Sequence, residues 1–137
     1  MTATPGVLFL CIHNAGRSQM AAGWLRHLGG GSVRVHSAGS EPAESVNPVA
    51  VEAMAEVGID ITGAEPTPWT EEMLADVDIV VSMGCGDACP VYPGKRYLDW
   101  PISDPAGQGL AMVRGARDEI RSRVLGLLVE MEIEPLA

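Results

Sequence analysis

Lysine and positive charge are scarce in this chain. Its 137 residues include nine Lys and Arg against 18 Asp and Glu, and the formal net charge is −9 at pH 7. Lys95 is the single lysine. Nucleic acids and anionic membrane surfaces repel a protein with this charge at long range. We therefore expect no nucleic-acid partner and no membrane partner.

Long hydrophobic runs and a basic N-terminal segment are also missing. The first apolar stretch, residues 7–10, is far too short for a transmembrane span or for the apolar region of a signal peptide. This predicts a cytoplasmic protein. Cysteine occurs three times, and in a reducing compartment cysteines are more often catalytic or metal-binding than paired in structural disulfides.

The overall composition is that of an ordinary globular protein. Hydrophobic residues make up 47% of the chain and charged residues 20%. A length of 137 residues is enough for one hydrophobic core and too short for two. We therefore expect residues 1–137 to form a single domain.

The most informative stretch follows the apolar residues 7–10, which predict a buried strand. Met20, Trp24 and Leu28 recur at helical spacing, so residues 11–17 are predicted to form a tight loop between a strand and a helix. Successive backbone N–H groups in such a loop, with the helix dipole behind them, form a site for a tetrahedral oxyanion. The residues predicted to bind the anion are Ile12, His13, Asn14, Ala15, Gly16, Arg17 and Ser18.

Three side chains of this stretch suggest covalent chemistry. Cys11 opens the loop, and a cysteine at a helix N-terminus beside a guanidinium is favoured as the nucleophilic thiolate. Arg17 presents a planar fork of donors that binds two oxygens of a phosphate-like anion at once. Ser18 is placed to donate a hydrogen bond to the sulfur and so to stabilise the thiolate.

The remaining elements predict a small α/β protein. Further strands are predicted at 33–37, 78–83 and 97–100, with Ala38-Gly39 turning the chain after the first of them. Helices are predicted from Asn47-Pro48 to Gly58, from Thr70 to Asp76 and across 113–131. This order fits a doubly wound parallel sheet between helices, with the ligand at the carboxyl end of the first strand.

A displacement at an oxyanion also needs a proton for the departing oxygen. Asp104 ends the last predicted strand region, and Pro105 restricts the turn so that the carboxylate is able to face Cys11. Asp104 is therefore the candidate general acid.

The spacing Cys-x5-Arg-Ser resembles the phosphate-binding loop of the low-molecular-weight tyrosine phosphatase family, whose arsenate reductase branch shares its fold. The resemblance implies a three-layer sandwich around a four-stranded parallel sheet. It further implies that Cys11 is the nucleophile, Arg17 the oxyanion clamp, Ser18 the thiolate donor and Asp104 the acid. Asn14 matches the residue that holds the left-handed bend of the loop.

Three positions depart from the commonest form of that family. His13 stands where glycine is usual, Gly16 stands where a second cysteine often occurs, and Ala106 replaces the aromatic residue that phosphatases carry after Asp-Pro. The loss of that aromatic residue weakens the case for an aryl-phosphate substrate.

Two further cysteines favour the arsenate reductase branch. Cys85 and Cys89 lie in one glycine-rich loop, and the reduction of arsenate to arsenite needs the two electrons that a pair of thiols supplies. In the predicted relay Cys85 attacks Cys11, and Cys89 then attacks Cys85, each step being a thiol–disulfide exchange. The Cys-x3-Cys gap is shorter than in thioredoxin-coupled arsenate reductases, so direct attack by a small thiol on the Cys11 adduct stays an alternative.

The leading hypothesis is thus an arsenate reductase for arsenic detoxification. It needs no metal and no tightly bound cofactor, only an external reductant: a thioredoxin-like or mycoredoxin-like protein, or a small thiol. The main alternative is a low-molecular-weight phosphotyrosine protein phosphatase using Cys11, Arg17 and Asp104. A metal-binding regulator using Cys11, His13, Cys85 and Cys89, and an inert phosphate-binding module, are the remaining alternatives.

Overall fold

A central parallel sheet organises the chain. The structure, a computed structural model, describes residues 4–83, 94–102 and 107–136. In that part of the chain four parallel strands form one sheet in the order β2-β1-β3-β4. The strands are β1 (Gly6–Cys11), β2 (Arg34–Gly39), β3 (Ile79–Ser82) and β4 (Arg96–Asp99). The predicted four-stranded parallel sheet is therefore confirmed.

Helices cover both faces of this sheet unequally. They are α1 (Arg17–Gly29), α2 (Pro48–Ala55), α3 (Glu71–Asp76) and α4 (Leu110–Glu130), and a short 3-10 turn, Gly30–Ser32, follows α1. The first, second and fourth helices pack against one another on one face, whereas α3 lies on the other. The result is the predicted three-layer, doubly wound α/β sandwich.

Successive side chains of β1 point to opposite faces of the sheet, and each face has its own hydrophobic core. Val7 and Phe9 belong to the larger core beneath α1 and α4, whereas Leu8 and Leu10 belong to a smaller core with Leu74 of α3. The side chains of these four residues, 7–10, are at most 1% exposed. A strand that is buried on both faces reads as a continuous apolar run, as residues 7–10 do.

The strand order places a crevice at the end of β1. The chain leaves β1 through α1 to β2 on one side, and β3 lies on the other side of β1. Because the neighbouring strands β2 and β3 lie on opposite sides of β1, the connections to them diverge and leave a space at the carboxyl ends of the strands. α/β sheets bind ligands in this space. Cys11, the last residue of β1, is at this position.

Several helix boundaries follow their capping residues. Asn47 accepts a hydrogen bond from the Val49 amide, with Pro48 as the first residue of α2, and Thr70 accepts one from the Met73 amide to begin α3. These caps confirm both predicted starts. α4 begins at Leu110, three residues before the predicted 113.

The structure corrects several further predicted boundaries. Ala38 and Gly39 do not turn the chain, because β2 continues through both and Gly39 pairs with Cys11. The loop after β1 is shorter than predicted, because Cys11 is still in the strand and Arg17 is already helical. α2 ends at Ala55, and Gly58 lies in the following turn with a φ of 81°.

Within the described ranges, none of the helices combines the length and the apolar character that crossing a bilayer requires.

Candidate active site

Residues 12–16 form the loop that joins β1 to α1, and its carbonyl groups are held on the outside. The Glu41 amide donates to Ile12 O at 2.8 Å, the Ala43 amide to His13 O at 3.0 Å, and the Asn47 amide to Ala15 O at 2.8 Å. The segment 41–47 thus occupies three of the loop's acceptors. Carbonyls engaged on that side do not compete with an anion for the loop amides.

The start of α1 adds uncapped donors to the same place. Gly16 is the N-cap residue, and no side chain caps this helix end. The first turn of a helix has N–H groups without intrahelical partners and carries the positive end of the helix dipole. An anion bound at the loop is the natural acceptor for these groups.

Cys11 is buried, 3% exposed, and its sulfur receives polar contacts from the loop and from α1. The Asn14 amide donates to Cys11 Sγ at 3.2 Å, and Ser18 Oγ lies 2.9 Å from the same sulfur. Asn14 Nδ2 donates to Ser18 Oγ at 2.7 Å. Because Ser18 Oγ accepts from Asn14, its own hydrogen is directed to Cys11, and the sulfur receives two hydrogen bonds.

Asn14 has the left-handed backbone that the family resemblance implied, with a φ of 51°. Its side chain is fully buried. Asn14 Oδ1 accepts a hydrogen bond from the Thr67 amide at 2.9 Å and from Gln19 Nε2 at 3.1 Å. Residues outside the loop therefore hold the bend in place.

Arg17 is the first residue of α1 and is 7% exposed. Its Nη1 donates to the Ile102 carbonyl at 3.0 Å, which ties the guanidinium to the segment that follows β4. Ile102 stands two residues before Asp104 in the chain. This contact joins Arg17 to the last described residue before Asp104.

His13 is exposed at the outer side of the loop. Its Nδ1 lies 3.0 Å from the Glu41 carbonyl oxygen, and because a carbonyl only accepts, this nitrogen is the donor. His13 thus joins the loop to the segment 41–47 with its ring as well as its backbone. Across the described ranges, no group of three or more His, Cys, Asp or Glu side chains is close enough to hold a metal ion.

Gly39 packs against the loop from β2. A Cβ at this position would lie 2.6 Å from Ile12 O and 3.0 Å from the Asn14 amide nitrogen, so only glycine allows this approach. The carboxyl end of β2 therefore lies beside the loop.

Four residues singled out from the sequence lie outside the described ranges: Cys85, Cys89, Asp104 and Ala106. Two residues that support the loop by contacting Asn14, namely Gln19 and Thr67, were not predicted from the sequence. Helical spacing gave no signal for Gln19, because it places this residue on the same side of α1 as the exposed Arg26 rather than with Met20 and Trp24.

A cysteine at the end of a central parallel strand, followed by an arginine-closed anion loop, defines a phosphatase-type α/β domain. Correspondingly, the chain belongs to the low molecular weight phosphotyrosine protein phosphatase family, whose sequence profile matches residues 6–135.

Within this family the chain is similar to proteins named as arsenate reductases. It is 38% identical over 128 residues to the glutaredoxin arsenate reductase of Synechocystis sp., covering 91% of this chain and 97% of that protein. Among solved structures, the thioredoxin-dependent arsenate reductase of Corynebacterium glutamicum matches 96% of this chain with a TM-score of 0.85 and 42% identity. This chain spans 63% of that longer chain.

A second solved structure is described as an arsenate reductase in the phosphate binding state. It matches with a TM-score of 0.81 and 36% identity, covering 93% of this chain and 99% of its own. The similarity therefore extends over nearly the full length of both chains.

Proposed function

We propose that this chain is an arsenate reductase, a single catalytic domain in which Cys11 attacks the oxyanion. The observation that carries the proposal is the buried Cys11 sulfur at the end of β1, with Ser18 Oγ at 2.9 Å and the Asn14 amide at 3.2 Å. The relatives that share 36–42% of the sequence, all named arsenate reductases, support this substrate.

In the first step the Cys11 thiolate forms a bond to arsenic. One arsenate hydroxyl departs as water after taking a proton from Asp104. Arg17 and the backbone amides of residues 12–18, apart from the Asn14 amide that donates to Cys11 Sγ, bind the remaining oxygens. This local positive potential attracts arsenate against the net charge of −9 on the whole chain.

In the second step the two electrons come from thiols. The Cys85 thiolate attacks Cys11 Sγ, the bond between sulfur and arsenic breaks, and its electron pair leaves with arsenic as arsenite. Cys89 then attacks Cys85, which releases the Cys11 thiolate and moves the disulfide to Cys85 and Cys89. Arsenic is reduced by two electrons, and two thiols are oxidised to one disulfide.

An external thiol reductant closes the cycle, so no tightly bound cofactor is required. A thioredoxin-like or mycoredoxin-like protein, or a small thiol, reduces the disulfide by exchange. The names of two relatives, thioredoxin-dependent arsenate reductase and glutaredoxin arsenate reductase, support a reductant of this class. The chemistry requires cysteines that are kept reduced, as in the cytoplasm.

The test is a single turnover without reductant. Fully reduced protein is mixed with arsenate, arsenite is quantified, and disulfides are mapped by mass spectrometry. We expect one arsenite per chain and a Cys85–Cys89 bond. Cys11→Ser is expected to produce no arsenite, and phosphate in place of arsenate is expected to oxidise no thiol.

Other outcomes separate the alternatives. A mixed disulfide on Cys11 that forms only with added small thiol would replace the relay by direct thiol attack. Arsenate treatment without thiol oxidation, together with turnover of an aryl phosphate, would overturn the reductase and establish a phosphatase with the same nucleophile.

A further inference from the structure

Gln19 is a buried polar residue of α1 that the chemistry described so far does not use. It is 3% exposed, and its amide lies against the loop rather than in solvent. Gln19 Nε2 lies 3.0 Å from Asn14 O, 3.1 Å from Asn14 Oδ1 and 3.4 Å from Glu65 O. Gln19 Oε1 accepts a hydrogen bond from Ser37 Oγ at 3.4 Å.

These contacts determine which way the Asn14 amide faces. An asparagine amide has an accepting end and a donating end, and exchanging them reverses every hydrogen bond that it makes. In Asn14 the oxygen faces two donors, Gln19 Nε2 and the Thr67 amide, and the nitrogen therefore faces Ser18 Oγ. The reversed amide would place its N–H groups against both of these donors.

The direction of the Asn14 amide decides what Ser18 does. With Asn14 Nδ2 at 2.7 Å, the Ser18 oxygen accepts, and its hydrogen is directed to Cys11 Sγ at 2.9 Å. If the amide were reversed, Asn14 Oδ1 would take the Ser18 hydrogen, and the sulfur would lose its hydroxyl donor.

We propose that Gln19 is a positioning residue that orients the Asn14 amide and thereby makes Ser18 donate its hydrogen bond to the Cys11 thiolate. Gln19 also donates to the Asn14 carbonyl, which supports the left-handed bend at that residue. The inference rests on Cys11 being a reactive thiolate. It does not rest on arsenate being the substrate, because its test measures the thiol alone.

The experiment measures how fast iodoacetamide alkylates Cys11 as a function of pH, with each cysteine followed separately by peptide mass spectrometry. Gln19→Met keeps an unbranched side chain of similar length and removes the N–H donors. We expect the Cys11 alkylation rate at pH 6 to fall about three- to tenfold, the effect of losing about one neutral hydrogen bond. At high pH, where every thiol is ionised, the rates of the two proteins converge.

A double-mutant cycle tests whether Gln19 acts through Ser18. In Ser18→Ala protein we expect Gln19→Met to cause no further loss, because the hydroxyl that Gln19 orients is gone. An equal loss in both backgrounds would overturn the proposal and reduce Gln19 to general support of the loop. An unchanged pH profile of the single variant would overturn it as well.

Two further variants keep the result interpretable. Ser122→Ala alters an exposed residue of α4 outside this network, and we expect it to keep the pH profile of the parent. If Gln19→Met does not fold, Gln19→Glu replaces it, because the carboxylate keeps the shape and lacks N–H groups. The negative charge that Gln19→Glu adds near Cys11 affects the alkylation rate in the parent and in the Ser18→Ala protein alike. This effect therefore cancels in the double-mutant cycle.

Discussion

Ser18 Oγ lies 2.9 Å from Cys11 Sγ, although the two residues are seven positions apart in the chain. The turn of the loop and the first turn of α1 together produce this contact. Its direction is set by a third residue, because Asn14 Nδ2 donates to the same hydroxyl oxygen. The sulfur therefore receives a hydroxyl donor as well as the Asn14 amide.

Replacing Ser18 by alanine removes this donor. A hydrogen bond to a charged group is worth about 1.5–3 kcal/mol, so we expect Ser18→Ala to slow Cys11 alkylation at pH 6 by roughly ten- to a hundredfold. Ser122→Ala is the matched control, because Ser122 is an exposed residue of α4 remote from the loop. Equal rates for Ser18→Ala and the parent protein would show that the hydroxyl does not stabilise the thiolate.

A methyl group at Gly39 is predicted to displace the loop. The added Cβ would lie 2.6 Å from Ile12 O and 3.1 Å from Asn14 Cβ, and overpacking of this kind costs about 1–3 kcal/mol. We expect Gly39→Ala to lower the free energy of unfolding by that amount and arsenate reduction by at least about tenfold. Urea denaturation and initial rates measure the two effects.

Gly63→Ala is the control for that substitution. Nothing lies within 4 Å of a Cβ at Gly63, so we expect parent activity and nearly parent stability. Full activity of Gly39→Ala would contradict the role of the close approach between β2 and the loop.

Arg17→Lys keeps the positive charge and removes the planar fork. The variant loses the Nη1 contact with Ile102 O and the two-point contact with an oxyanion. We expect the KM for arsenate to rise roughly ten- to a hundredfold, as for the loss of a charge-assisted hydrogen bond. Arg123→Lys changes an exposed pair with Glu119, which contributes little, and is expected to leave the KM unchanged. An unchanged KM for Arg17→Lys would show that charge alone binds the anion.

Glu56 is predicted to make folding sensitive to acid. The hydrogen bond from Arg114 lowers the pKa of Glu56 from 4.5 to about 2. The hydrogen bond from Arg117 adds to this effect, and partial burial opposes it. The unfolded chain therefore binds more protons than the folded one between pH 4.5 and about 2. Stability from this group is complete above pH 4.5 and is lost as the pH falls toward 2.

Thermal unfolding between pH 5 and pH 2 measures this contribution. We expect the melting temperature of Glu56→Gln to fall less steeply with decreasing pH than that of the parent. Part of the slope remains, because hydrogen bonds from Thr62 and His36 lower the pKa values of Asp60 and Asp76. Glu119→Gln removes the same charge from an exposed pair with Arg123 and is expected to keep the parent slope. A parent slope in Glu56→Gln would refute the assignment.

The sequence alone determined the features that depend on neighbouring residues. The apolar run 7–10 predicted the central strand, Asn47 and Thr70 predicted the helix starts, and the Cys-x5-Arg-Ser spacing predicted the position of the loop. Each depends on side chains a few residues apart, so local propensity and periodicity suffice to find them.

Only the tertiary structure decided how the loop is supported. Arg17 meets Ile102 across 85 residues of chain, Asn14 meets Thr67 across 53, and the segment 41–47 takes up the loop carbonyls. Gly39 was predicted to turn the chain and instead continues β2 against the loop. These contacts join segments that the winding of the sheet brings together. No short-range pattern records such a pairing, because its energy comes from packing between elements rather than from the residues beside it in the chain.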